Sequence, residues 1–347
     1  MGIEKSLFGV SSCGREVFVY KIKGREGFSA QILTYGGALR SLSVRGKDGT
    51  VRDVVLGFDD LAGYERCSSY HGQLVGRYAN RIAGGTFTIN GKKINVTKNE
   101  NNETCLHGGG ELSRAVWDAE TDGGRTLRLT YKGADKTEGF PGEFSAEVIY
   151  SLTDDNELII DYGAVCTQDS VINLTNHAYF NLAGFDGGDV LDHELMIDAD
   201  KYTPTDKKNI PTGEKRFVGQ TAFDFRKPKP LGLDIGGGDE QLLNCGGYDH
   251  NFCLNERPAG APAAHAVCPR TGIKMEMFTD MPGVQLYTGN FLNGERGKGG
   301  AAMERHSGFC LETQFYPDTP NKPNFPQCVF LSGERFVSRT SFKFSAG

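Results

Sequence analysis

Two residues capable of acid–base chemistry sit inside strand-like runs, His177 in NLTNHAYFNL and Glu312 in FCLETQFY. In Val171–Leu182 a period-two split puts Asn173, Thr175, His177, Tyr179 and Asn181 on one face. The other face carries Ile172, Leu174, Ala178, Phe180 and Leu182, interrupted by Asn176. So regular an apolar face belongs in a core. The polar face lacks Lys, Glu and Asp, which a plain solvent face would more often carry, and suits a cleft for a polyhydroxylated ligand. Phe309–Tyr316 splits the same way, with Cys310, Glu312, Gln314 and Tyr316 opposite Phe309, Leu311, Thr313 and Phe315. Val284–Tyr287 does so more briefly, with Gln285 and Tyr287 on one side. If these strands are neighbours, His177 and Glu312 form an acid–base pair. Taken singly, His177 reads equally well as a satisfied structural histidine and Glu312 as half of a salt bridge, since an unpaired buried carboxylate is costly. His107, in LHGGG, reads as a loop cap, and His250 beside Asp249 as a turn pair.

Other chemistries find no footing. LHGGG imitates the oxyanion loop of some esterases, but the chain has no G-x-S-x-G elbow to supply a nucleophile. A phosphate-binding glycine loop is missing, as is any H-E-x-x-H or comparable metal cluster. The expectation is therefore catalysis by side chains alone, with no metal and no cofactor.

The elements that must position these residues are short strands. Glycine makes up 47 of 347 residues, roughly twice the usual ~7 %, which disfavours helical bundles because glycine weakens helix interiors by about 1 kcal/mol each. Phe87–Asn90 and Lys93–Thr97 flank Asn90-Gly91, a strong hairpin signal. Thr126–Lys132, Phe144–Leu152 and Glu157–Val165 alternate clearly, and helical periodicity is limited to single turns such as Asp59–Glu65. Gly236–Gly238 and Gly297–Gly300 read as surface loops. With no composition break or repeat, residues 1–347 are expected to form a single all-β domain, a large antiparallel β-sandwich.

A net charge of −6 argues against nucleic acid or an anionic membrane as partner. No apolar run approaches the ~20 residues of a membrane span, and MGIEKSLFGV lacks the apolar stretch of a secretory signal. Gly2 and Ser6 match the loose myristoylation pattern, and a single acyl chain anchors only marginally. Nine scattered cysteines without a C-x-x-C pair point to reduced thiols and a cytoplasmic location.

Six segments together resemble the galactose mutarotase, or aldose 1-epimerase, family. They are GRYANRIAGGTFTING (76–91), NNETCLHGGG (101–110), NLTNHAYFNLAG (173–184), GYDHNF (247–252), GVQLYTGNFL (283–292) and LETQFYPDTPNKPNFP (311–326). They run in the family's order from about residue 30 onward. The third position of GRYANRI and the flanks of LHGG depart from the expected pattern, at no catalytic position. The resemblance implies a galactose mutarotase-like supersandwich with very little helix. It also implies a hexose substrate, galactose or glucose, whose α and β anomers are interconverted by ring opening, C1–C2 rotation and reclosure. By motif, Glu312 corresponds to the catalytic base and His177 to the acid. His107 corresponds to a sugar ligand near the ring oxygen, and Asn80, Arg81, Asp249 and Gln285 to hydroxyl-binding residues. Tyr179 is expected to line the cleft, and the chain to act as a monomer or weak dimer. Ordinary values near 4.3 for Glu and 6.5 for His mean that turnover at neutral pH calls for a raised His177 or a poised ionised pair. A hexose-phosphate epimerase would need further cations at the cleft mouth, and a silent sugar-binding protein would need neither His177 nor Glu312. A glycoside hydrolase would usually need two carboxylates.

Overall fold

A computed structural model describes residues 2–347. Most of the regular structure is antiparallel strand, with three short α-helices, Leu61–Arg66, Glu111–Arg114 and Glu240–Cys245, and five single-turn 3-10 helices among the described residues. The all-β expectation holds. A nine-stranded sheet is built around Phe144–Leu152, Glu157–Cys166, Arg335–Ala346 and Ile273–Thr279, in that spatial order. A five-stranded meander runs from Gly2–Val10 to Val51–Asp53. A second five-stranded sheet orders Arg216–Phe217, Lys201–Tyr202, Asp249–Cys253, Gly283–Tyr287 and Cys310–Gln314.

One apolar cluster joins all three sheets. It takes Tyr20 and Ile32 from the meander, Val148 and Ile160 from the large sheet, and Val284 and Leu311 from the second five-stranded sheet. Phe144–Leu152 shows why: every second residue is buried and those between are more open, as a half-buried strand requires. The last three strands of the second five-stranded sheet differ, since every residue in them is buried. One face meets the core and the other forms the floor of a cleft.

Local signals worked well. Asn90 and Gly91 both take positive φ, 50° and 75°, and join Thr86–Ile89 to Lys92–Asn95 through the turn that matches strand twist. Asp60 caps the Leu61–Arg66 helix by accepting the Gly63 N–H. Two expectations need correction. Val171–Leu182 is not one strand: Ser170–Val171 and Thr175–Asn176 join two-stranded ladders, and the rest is threaded between sheets by isolated bridges of Asn173 to Tyr78 and of Phe180 to Val55 and Phe309, ending in a turn at Leu182. Gly297–Gly300 is not merely a surface loop. It delivers Lys298 into the interior, where Nζ meets Asp53 Oδ2 at 2.5 Å and donates to the carbonyls of Arg40 and Val55. Among the described residues, no helix is long and apolar enough to cross a membrane.

Candidate active site

Strand register assembles the cleft floor. Asn251 pairs with Gln285 and Gln285 with Glu312, so these three form one cross-strand row. Asp249, Tyr287 and Cys310 form the next row on the same face. The alternate residues, His250, Leu286 and Leu311, point into the core. His250 is thus a fully buried strand residue and not a turn partner of Asp249, although its Nδ1 accepts the Asp249 N–H at 3.2 Å.

His177 arrives from the threaded segment. Its N–H donates to Gln73 O and its carbonyl accepts from Gly72 N–H, each at 2.9 Å. These bonds set its ring over the sheet, with Nε2 3.7 Å from Glu312 Oε1 and Nδ1 3.5 Å from Cys310 Sγ. Tyr179, two residues on, stacks 5.0 Å from the His177 ring and donates its hydroxyl to Ser69 O at 2.9 Å. Asn173 and Asn181, on the same nominal face, do not reach the cleft. They are fully buried and hydrogen-bond to backbone groups of Ala79, Phe315, Gly188 and Ser307.

The third wall is a two-stranded ladder pairing Arg81–Ile82 with Cys105–Leu106. Asn80 adopts a left-handed φ of 63°, a conformation asparagine tolerates. Its Oδ1 accepts the Arg81 N–H, and its own N–H donates to His107 Nδ1 at 3.1 Å. That bond fixes the His107 tautomer and leaves Nε2 toward the cleft. Arg81 forks onto Glu100 at 2.8 and 2.9 Å and lies 3.6 Å from Asp249 Oδ2.

Seven of the eight expected site residues, Asn80, Arg81, His107, His177, Tyr179, Asp249 and Glu312, line one cavity of about 340 Å³. Gln285 is the exception. It sits within the floor row but does not line the cavity, its Nε2 donating to Asp249 Oδ1 at 2.7 Å while its Oε1 accepts from Gln314. The central position in its row, flanked on both sides, spends its amide on neighbouring side chains. Sequence reasoning missed Tyr70, Glu100, Asn101 and Phe291, which line the same cavity. Tyr70 packs 4.7 Å from His107 and 6.0 Å from His177. Glu100 and Asn101 adjoin or begin the NNETCLHGGG segment, a signal that proximity alone could have supplied. A larger groove of about 880 Å³ runs beside residues 254–261. There Arg257 is taken up by the carbonyls of Asn255 and Thr279, and Arg339 by Asp161.

The electrostatics correct one expectation. Burial lowers His177 to about 3 and His107 well below the usual histidine value, and so does not raise the proposed acid. Burial, reinforced by Asp249, raises Glu312 well above the usual carboxylate range. Glu312 Oε2 is buried with no partner. Burial thus favours neutral imidazole and neutral carboxyl, one labile proton for the pair. Arg81 keeps its charge because Asp249 and Glu100 outweigh the cost of burial.

Comparison with known proteins places the chain in a family. The family model for aldose 1-epimerase matches residues 19–343. The chain belongs to the aldose 1-epimerase family. Family members at high similarity include the galactose mutarotase of Bos taurus, 43 % identical over 90 % of each chain. That of Homo sapiens is 41 % identical over 99 % of this chain and 98 % of its own. Among solved structures, the aldose epimerase homologue from C. elegans superposes with a TM-score of 0.86 at 30 % identity, covering 94 % of this chain and 98 % of the other. The galactose 1-epimerase of Lactobacillus acidophilus gives 0.87 at 26 % identity over 99 % of both.

Proposed function

We propose that this aldose 1-epimerase family member interconverts the α and β anomers of D-galactose and D-glucose, with Glu312 and His177 exchanging the protons. The observation that carries the assignment is the His177 Nε2–Glu312 Oε1 separation of 3.7 Å at the cleft floor, with Glu312 Oε2 unpartnered. Opening a pyranose removes a proton from the C1 hydroxyl and adds one to the ring oxygen. Ionised Glu312 takes the first and protonated His177 gives the second. Opening leaves neutral Glu312 and neutral His177, the state that burial favours. Reclosure then runs the same transfers backward on the other carbonyl face. Both states hold one proton between the two residues, so turnover needs relocation within the site and no exchange with solvent. Each positioned group contributes about 10²–10⁴-fold, which suits a reaction that already proceeds in water.

Asn80, His107, Asp249 and Arg81 bind hydroxyls and the ring-oxygen side of the sugar, with Tyr179 packing beside His177. Gln285 acts on Asp249, holding it in place through the Nε2–Oδ1 bond. Charge-assisted bonds of this kind discriminate between epimers because a site group left unpaired is costly. A phosphorylated hexose fits less well. Arg81 is the one cation among the residues lining the cleft, and it is already committed to Glu100 and Asp249. The same reading takes residues 1–347 as one domain, supported by a core cluster that runs from Tyr20 to Phe344. It places the chain in the cytoplasm as a monomer or weak dimer, in keeping with nine unpaired cysteines.

The test is polarimetric. Crystalline α-D-galactose dissolved with the protein should approach its equilibrium rotation faster than in buffer, in proportion to protein added. An approach no faster than the blank refutes the reading.

A further inference from the structure

Behind the Tyr179 wall lies a second cluster that the epimerase chemistry does not use. His71 is fully buried, and neither ring nitrogen has a hydrogen-bond partner. A buried imidazole with both nitrogens unmatched is expensive unless something else satisfies it. Its ring is wedged 4.5 Å from Tyr179 and 5.2 Å from Phe58, and its Nε2 points at Glu295 Oε2, 3.9 Å away. Cys67 Sγ lies 3.9 Å from the same carboxylate oxygen. All three donor atoms fall within 4.8 Å of one another.

We propose that Cys67, His71 and Glu295 form a metal site of the zinc class, with a fourth position open to water. Thiolate, imidazole and carboxylate together suit borderline-soft Zn²⁺, whereas Mg²⁺ and Ca²⁺ prefer all-oxygen shells. Bond lengths of about 2.0–2.3 Å put tetrahedral ligand atoms roughly 3.3–3.8 Å apart, a small contraction from the present spacing. The Ser69 N–H donates to Cys67 Sγ at 3.2 Å. Such backbone donors orient and stabilise a metal-bound thiolate. Glu295 is half-exposed on the hairpin pairing Glu295–Arg296 with Ala302–Met303, which supplies a route for the ion.

Two other donor clusters lack these features. In Asp192–His193–Cys268 both histidine nitrogens are engaged, Nε2 by the Leu182 N–H and Nδ1 by Asp192. In His107–His177–Glu312 the His107 Nδ1 is taken by Asn80, and the remaining groups are the proposed proton carriers. The Cys67 site would tie the 67–72 segment to the 295–303 hairpin. That segment carries Tyr70 and the Ser69 carbonyl that holds Tyr179, so a bound ion stiffens one wall of the cleft.

The test uses the full chain, stripped by chelator and returned to zinc-buffered solution. Wild type should take up about one Zn²⁺ per chain. Co²⁺ in its place should show thiolate-to-metal charge-transfer absorption, and Zn²⁺ should raise the thermal midpoint. Glu295→Gln, a change at a half-exposed position that leaves the fold intact, should weaken binding by about 100-fold or more. Cys67→Ser should abolish the cobalt band, while Cys268→Ser should keep it. Failure of wild type to take up zinc overturns the proposal. So does uptake that survives Cys67→Ser, or that is lost in Glu312→Gln and kept in Glu295→Gln. Zinc uptake and the cobalt band are read without substrate, so they stand or fall independently of the epimerase reading.

Discussion

Two buried acid–base pairs in this molecule are built on opposite plans. Arg77 and Glu111 are both buried, and every polar atom is spoken for. Arg77 Nε and Nη2 fork onto the carboxylate at 2.8 and 3.2 Å, while Nη1 and Nη2 also donate to Gly142 O and Ala134 O. Tyr131 adds its hydroxyl to Glu111 Oε1. His177 and Glu312 are equally buried, yet they stop 3.7 Å apart and one carboxylate oxygen has no partner. A saturated pair holds structure together, because removing either partner strands a charge. An unsaturated pair retains hydrogen-bonding capacity for a substrate and lets a proton move.

The largest expected effects set the two plans against each other. Glu312→Gln and His177→Asn should each cut kcat by about 10²–10⁴-fold while the urea midpoint stays near that of wild type. Glu111→Gln should do the reverse, costing about 3–5 kcal/mol of stability with turnover per folded molecule preserved. Steady-state polarimetry beside urea denaturation of all three proteins reads both axes. Near-wild-type kcat in Glu312→Gln would remove that residue from the mechanism, and an unchanged midpoint in Glu111→Gln would dissolve the contrast.

A smaller effect sharpens it. Burial lowers both His177 and His250 to about 3, yet His177 faces the cleft and His250 packs against Phe223, 4.7 Å away. An unfolded histidine titrates near 6.5. As pH falls below that value, the unfolded chain gains a proton that folded His250 refuses, so stability drops between about 6.5 and 3. By about pH 5 the loss from one such residue is about 2 kcal/mol. His250→Gln should therefore flatten the fall in urea stability between neutral pH and pH 5 by that amount without touching kcat. An unchanged slope would show that His250 is not held neutral by burial.

Much of the site was legible because its signals are local. The split of Cys310, Glu312 and Gln314 from Leu311 and Thr313 needs only the pleat, and the register confirms that the two sets face opposite ways. Asn90-Gly91 declared its hairpin for the same reason. Tyr70 and Phe291 were illegible because they enter the cleft from loops, where no periodicity marks direction. The paired asparagines Asn173 and Asn181 misled: a polar strand face looks alike in sequence whether it meets a sugar or a neighbouring backbone. Gln285 was placed on the correct face, but only the folded sheet shows that its amide is spent on Asp249 in the adjacent row.

The sequence alone therefore determined which residue types share a face, the all-β class and, by six motif segments, the family. Tertiary structure alone decided that His177 meets Glu312, that Arg81 is bound to Glu100 and Asp249, and that the His71 ring has no hydrogen-bond partner. Alternation is a property of a few consecutive residues. Contact between a threaded segment and a distant strand depends on how the whole chain buries its apolar faces, and the burial that brings those groups together also sets where their protons reside.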